Sequence, residues 1–171
     1  MPTPAYMSVN GETQGLITAG AFTADSVGNI WQEAHQDEVL VEAFEHEVII
    51  PRDVQSGQPT GQRVHKPVII TKIFDKSSPL LYSALTSGER LPTVEIKWYR
   101  TAVSGTQEHY FTHLLTDAVI VDISAEMPNC QDPGKAHFTH LEKVAMTYRK
   151  ITWTHEISGT TGEDDWRAPR V

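Results

Sequence analysis

A chain of 171 residues with 39% hydrophobic and 21% charged residues has the composition of one globular domain with a single core. Its formal net charge of -8 and pI near 5.4, without any cluster of Lys and Arg, argue against a nucleic-acid or anionic-membrane partner, since both require a concentrated basic surface. The single cysteine, Cys130, forms no internal disulfide. A cytoplasmic fold is therefore expected, and neither a signal-like start nor an apolar run of membrane length occurs.

In chain order the sequence reads mainly as strands. Tyr6 to Val9 is extended and runs into the turn-forming Asn10-Gly11. Leu16 to Phe22 reads as a glycine-flanked strand, and the polar stretch from Asp25 to Gln36 as loop. From Val39 to Ile50, apolar Leu40, Phe44, Val48 and Ile50 fall at even spacing with Val41 and Ala43 opposite, which predicts a strand covered on both faces or bulged. Residues 51–63 then form an excursion rich in Gly, Pro, Gln and Thr. The dozen residues from Arg52 to Arg63 are too many for a hairpin turn, and excursions of that length are usually functional or disordered. We read this one as an arm that contacts another protein.

Beyond the arm, Val64 to Asp75 alternates, with Val64, Val68, Ile70 and Phe74 on one face and His65, Ile69, Thr71 and Ile73 on the other. The one clear helix runs from Ser78 to Ser87: Ser78 as N-cap, Pro79 at N1, and Gly88 as a left-handed C-cap. Its stripe of Leu81, Leu85 and Ala84 predicts burial of Leu81 and Leu85 against a sheet. Thr93 to Arg100 alternates with Val94, Ile96 and Trp98 in phase, and Ser104-Gly105 turns the chain. Glu108 to Ser124 is extended but changes phase, which places a bulge near Thr116 and Asp117 and lets one segment bend between two sheets. Met127 to Lys135 is a loop, His140 to Trp153 a last long strand, and 157–171 a flexible polar tail that either frays or docks through Trp166 alone. The fold class is mainly β: a single domain over 1–171, an antiparallel two-sheet β-barrel with one α-helix.

Eight histidines invite a metal reading. His109 and His113 lie roughly 13 Å apart along a strand at about 3.3 Å per residue, too far to share an ion. His137 and His140 point different ways at a loop-to-strand junction, and His46 between Glu45 and Glu47, like His65 beside Lys66, reads as an ordinary polar strand residue. Gly57 to Arg63 lacks the spacing, the Lys-Ser/Thr pair and the following helix of a phosphate loop. Gly-x-Ser-x-Gly is absent, and Cys130 has no basic neighbour to activate it. The residues thus point to no catalytic group, no metal and no cofactor. Two readings remain: a protein that binds through surface shape, and a small-molecule- or carbohydrate-binding barrel, with or without hydrolase activity, using a pocket near His109, Tyr110 and His113.

Several long blocks carry a family resemblance: PAYMSVNGETQG with LITAGAFTADSVGNIWQEAHQDEV, FEHEVIIPRDVQSGQPTGQRVHKPVIITKIFDKSSPLLYSALTSGERL, and later KWYRT, EHYFTHLLTDAVIVDISAEMPN and KVAMTYRKITWTHE. From Tyr6 to Glu156 the chain resembles the haemolysin-coregulated protein (Hcp) family of the bacterial type VI secretion system. The resemblance implies a two-sheet barrel with one helix, hexameric rings that stack into a hollow tube, and export with effector cargo from the cytoplasm without a signal peptide. It implies as partners further copies of the chain and the sheath, spike and baseplate proteins, with no nucleic acid and no membrane insertion. The family's ring-stacking arm maps onto Arg52 to Arg63, and we expect Arg52, Asp53, Gln55, Gln58, Thr60 and Arg63 to be its contact residues.

Overall fold

Alternation decides the sheets. Along β8 (Leu91–Thr101), Leu91, Val94 and Ile96 are buried while the residues between them are not, and β1 (Ala5–Gly11) pairs with it antiparallel through Ala5↔Trp98 and Val9↔Val94. The computed structural model describes residues 3–168. On its other side β1 pairs β2 (Gly15–Leu16) and β3 (Val39–Val41). β8 pairs the first half of β9 (Gln107–Glu126), which in turn pairs β11 (Lys150–His155) and then β12 (Thr160–Asp165). That completes one antiparallel sheet.

The second sheet is β4 (Ala43–Glu45), β7 (Val68–Ile73), β10 (Leu141–Thr147) and the second half of β9. Two corners join the sheets. At one, the chain passes from β3 to β4 through Glu42, whose N–H bonds Thr71 O at 2.8 Å. At the other, β9 runs through both sheets, and β10 and β11 follow it with a break at Tyr148 and Arg149. The result is the expected antiparallel two-sheet β fold, with the hydrogen-bond ladder not closed into a complete barrel. Met7, Val9, Ile70, Leu115, Val144 and Met146 fill the space between the sheets.

The bend in β9 has a residue at its centre. Asp117 holds φ at 53°, the one positive value at a non-glycine among the described residues, and its carboxylate accepts from Arg90 Nε (3.1 Å) and forms an ion pair with Arg149 Nε at 3.3 Å. A left-handed carboxylate residue tied by two guanidinium groups fixes the corner. Ladder slippage itself falls elsewhere, at Tyr110 opposite β8 and at Val121 opposite β10, because each neighbouring strand absorbs the twist a few residues from the bend.

Helix α2 (Ser78–Ser87) has the expected bounds, ends in αL Gly88 (φ 68°) and packs on β9. Its cap is one residue earlier than expected. Ser77 is the N-cap and Ser78 the first helical residue, because Asp75 supplies the capping carboxylate through Ser77 N (2.9 Å), which frees Ser78 Oγ for buried partners. Leu81 and Ala84 are fully buried, whereas Leu85 packs at the edge of the core and is half-buried.

Four further expectations need correction. The Asn10-Gly11 pair lies inside β1, and the chain reverses at 12–14, closing Gly11 against Gly15. Leu16 to Phe22 leaves the strand after Leu16, because Ile17, Ala21 and Phe22 turn in to bury themselves. The polar stretch from Asp25 to Gln36 is not plain loop: it holds the one-turn α1 (Ala24–Val27) and 3₁₀ turns at Gly28–Ile30 and Glu33–His35. It winds because it must cover the far face of β1, where Tyr6 stacks on His35 at 3.6 Å and meets Phe22 edge-on. Finally, the segment expected to be a loose tail contains β12, paired with β11 over six residues, and Trp166 Nε1 donates to Tyr148 O. Residues 169–171 of that tail lie outside the described residues.

Candidate functional site

The excursion after β5 (Val48–Ile49) is a built object. β5 pairs β6 (Val64–His65), and beyond them Thr60 N bonds Pro51 O and Asp53 N bonds Gln58 O, each at 2.8 Å. The strands therefore continue past the sheet as a narrow two-stranded arm. Its tip is closed by one side chain: the Asp53 carboxylate accepts from Gln55 N (3.2 Å), Ser56 N (3.3 Å) and Ser56 Oγ (2.7 Å), while Gly57 supplies the positive φ of 75° that the turn needs. The Ser56 hydroxyl first, then the two amides, hold the Asp53 pKa below its ordinary value, so the tip carries a fixed negative charge.

Arg52, Asp53, Gln55, Gln58 and Thr60 all sit on this exposed arm, and beside them Val54 is 94% exposed. Arg63 does not join them. It turns back into the subunit, where Nε donates to Asp164 Oδ2 at 2.7 Å and Nη2 to Asp164 Oδ1 (3.1 Å), Asp165 O (3.0 Å) and Ala168 O (2.9 Å).

At the same root, His65 Nε2 lies 2.7 Å from Asp164 Oδ2 and His65 Nδ1 lies 2.7 Å from Tyr148 Oη, which is also 2.7 Å from His46 Nε2. One proton arrangement satisfies every contact with neutral rings: His65 Nε2–H donates to the carboxylate, the phenol donates to His65 Nδ1, and His46 Nε2–H donates to the phenol oxygen. Burial raises the Tyr148 pKa, helped by the Asp164 charge, so the hydroxyl keeps its proton.

His113 ends the row. It accepts from Trp98 Nε1 at 2.8 Å among Phe44, Phe111 and His46, and burial first, then His46, pushes its pKa down to about 4. Burial and His65 lower His46 as well. His109 goes elsewhere, held by Phe111 O (3.1 Å) and the Thr112 hydroxyl (2.7 Å), and Tyr110 lies under Arg100. His109, Tyr110 and His113 are thus each engaged with different neighbours. Among the described residues no three His, Cys, Asp or Glu side chains are arranged to hold a metal.

Sequence reading placed the arm but missed what anchors it. Tyr148 was legible as an in-phase strand residue, whereas Asp164 and Arg63 come together only through the register of β11 and β12, about a hundred positions apart in sequence. A second missed cluster lies at the far end of the same strands. Lys72 and Glu142 are cross-strand partners, both buried, in phase with the inward-facing Ile70 and Val144. Strict alternation from Val68 carries that signal.

The family described as "Type VI secretion system effector, Hcp" matches residues 6–155. A protein of Pseudomonas aeruginosa described as "Major exported protein" is 74% identical over 169 residues, covering 99% of this chain and 98% of that one. Among solved structures, one described as "Crystal structure of Hcp protein" superposes with a TM-score of 0.91 at 53% identity, covering 96% of this chain and 99% of the other. The "Secreted protein Hcp3 from Pseudomonas aeruginosa" gives 0.83 at 64% identity, covering 97% and 99%.

Proposed function

The chain belongs to the Hcp family of type VI secretion proteins, and from that premise we propose that it is the structural tube component of such a system, forming hexameric rings that stack into a hollow tube. The observation that carries the assembly reading is the arm: an ordered, exposed hairpin whose polar residues from Arg52 to Thr60, among the described residues, bond only within the hairpin itself. A protein that bound only a small ligand would have no use for it. Head-to-tail stacking needs a projecting surface on one face of the ring and a different, complementary surface on the other, which an arm at one end of the sheets supplies. On this reading Arg52, Asp53, Gln55, Gln58 and Thr60 meet the next ring, while Arg63 serves the arm from within.

The partners are further copies of the chain, the sheath, spike and baseplate proteins, and effector cargo in the lumen. Assembly takes place in the bacterial cytoplasm, and the protein leaves through the secretion system without a signal peptide. It acts by surface shape rather than by catalysis. The ligand-binding barrel is not favoured, since His109 and His113 are spent on different neighbours and do not frame one pocket.

Native mass and negative-stain microscopy test the proposal. The purified protein should run as a hexamer and show rings, some of them stacked. Replacing residues 53–61 by a Gly-Ser turn should preserve circular dichroism and ring size while abolishing stacks, because the β5–β6 pair can close over a shorter loop. A monomeric wild type would overturn it.

A further inference from the structure

β12 is a poor strand by its own chemistry. Of Thr160, Thr161, Gly162, Glu163, Asp164 and Asp165, Asp164 is the buried one, and it lies opposite the core residue Ile151 in the ladder. An apolar side chain there would extend the core, whereas a buried carboxylate is costly unless fully paired. This one is paired to the arm, accepting from both Arg63 Nε and Nη2 and lying against His65 Nε2. A planar guanidinium gripped at both carboxylate oxygens is fixed in direction as well as place. Two further carbonyls of the same segment, Asp165 O and Ala168 O, hold the other side of Nη2.

We propose that Asp164 is a positioning residue for the arm: β12 clamps Arg63 and His65 so that the hairpin leaves the subunit in one direction, and the arm is set only once β12 has paired with β11. The inference rests on the reading of the arm as a contact with another copy. It gives β12 a task in assembly, and it makes arm presentation depend on a strand about a hundred positions further along the chain.

Hydrogen exchange on the full-length protein separates a clamp from mere fold support. In Asp164→Asn and in Arg63→Gln, the arm amides of Asp53, Gly57, Thr60 and Lys66, each bonded within the hairpin or at its base, should exchange on the order of tenfold faster. The α2 amide of Leu81 should keep its wild-type rate. The double variant should match either single one, since both cut the same clamp, and stacks should become rarer while ring size is unchanged. Wild-type arm exchange in both single variants would overturn the proposal, as would acceleration spread equally over α2. A wild type that forms no stacks would defeat the assembly reading, while the exchange comparison would still decide the clamp.

Discussion

The β7–β10 ladder ends in a polar cluster on either side, and the two are built on opposite plans. At the α2 end, Lys72 Nζ donates to Glu142, Ser78 Oγ (2.9 Å) and Ile73 O (3.0 Å) and lies 3.3 Å from Asp75, with the three charged side chains at most 2% exposed. At the arm end, His65, Tyr148, His46, Asp164 and Arg63 form a chain of contacts that reaches the surface. The first is dry and built on an ion pair between Lys72 and two carboxylates. The second is a relay of imidazoles and a phenol that ends on the Arg63–Asp164 ion pair, with burial lowering the His46 and His113 pKa values. What closes the fold is a compact ionic cluster, and what carries the arm is a chain of hydrogen bonds between rings.

Breaking the dry cluster should have the largest effect. Lys72→Met leaves Glu142 and Asp75 buried without that counter-charge, and Glu142 Oε2 meets no hydrogen-bond partner among the described residues to begin with. The expected loss is about 3–5 kcal/mol in urea unfolding. A loss below about 1 kcal/mol would show that the cluster is not the clasp between α2 and the second sheet that its geometry describes.

Next comes the helix above it. Leu81→Ala should cost about 2–5 kcal/mol by opening a cavity, and Leu85→Ala about 1 kcal/mol, since that side chain packs at the edge of the core and already meets solvent in part. Equal costs would mean that the helix is rotated from the placement described.

Acid probes the other end. His113 takes its proton at about 4 in the folded chain and near 6.5 when unfolded. Between those values the unfolded chain binds more protons, so stability falls as pH drops from 6.5 to 4, and this group adds no further change below that. With partial solvent access the loss is about 2 kcal/mol, and His46, lowered by burial and by His65, acts in the same direction. His113→Gln should flatten most of the slope. A wild-type stability that is level from pH 7 to 4.5 would contradict the buried, neutral state of the histidine row.

The contrast also explains what the sequence could say. Helix α2, the arm and the alternating strands are written in local spacing, so Ser78 to Ser87 and the excursion at 51–63 were legible. The two polar clusters are products of pairing. His46, flanked by Glu45 and Glu47, looks like a solvated strand residue until β4 and β10 bring it to Tyr148. Arg63 looked like a contact residue because its partner, Asp164, sits in a strand too polar to be predicted. The Asp25 to Gln36 cover is illegible in sequence for a related reason: its structure depends on burying Tyr6 of β1, not on its own period.

The smallest expected effect sharpens the comparison most cleanly, because it keeps the residue type and changes the surroundings. Lys66 pairs with Glu47 at 3.0 Å across the base of the arm, with side chains 49% and 55% exposed, whereas Lys72 pairs with Glu142 in a dry interior. In water the Lys66–Glu47 attraction is weakened by the solvent dielectric and screened over about 8–10 Å, so Lys66→Ala should shift stability by about 0–1 kcal/mol at low salt. At 1 M salt, where screening acts over about 3 Å, that difference should vanish. The backbone bond from Lys66 N to Glu47 O survives the substitution and keeps the arm's base closed. Urea unfolding at the two salt concentrations, run beside Lys72→Met, reads both at once: the buried lysine's effect should persist in salt and the exposed one's should not. A Lys66 effect above about 2 kcal/mol, or one indifferent to salt, would mean that the base of the arm is covered in solution, as it would be if neighbouring copies packed against it.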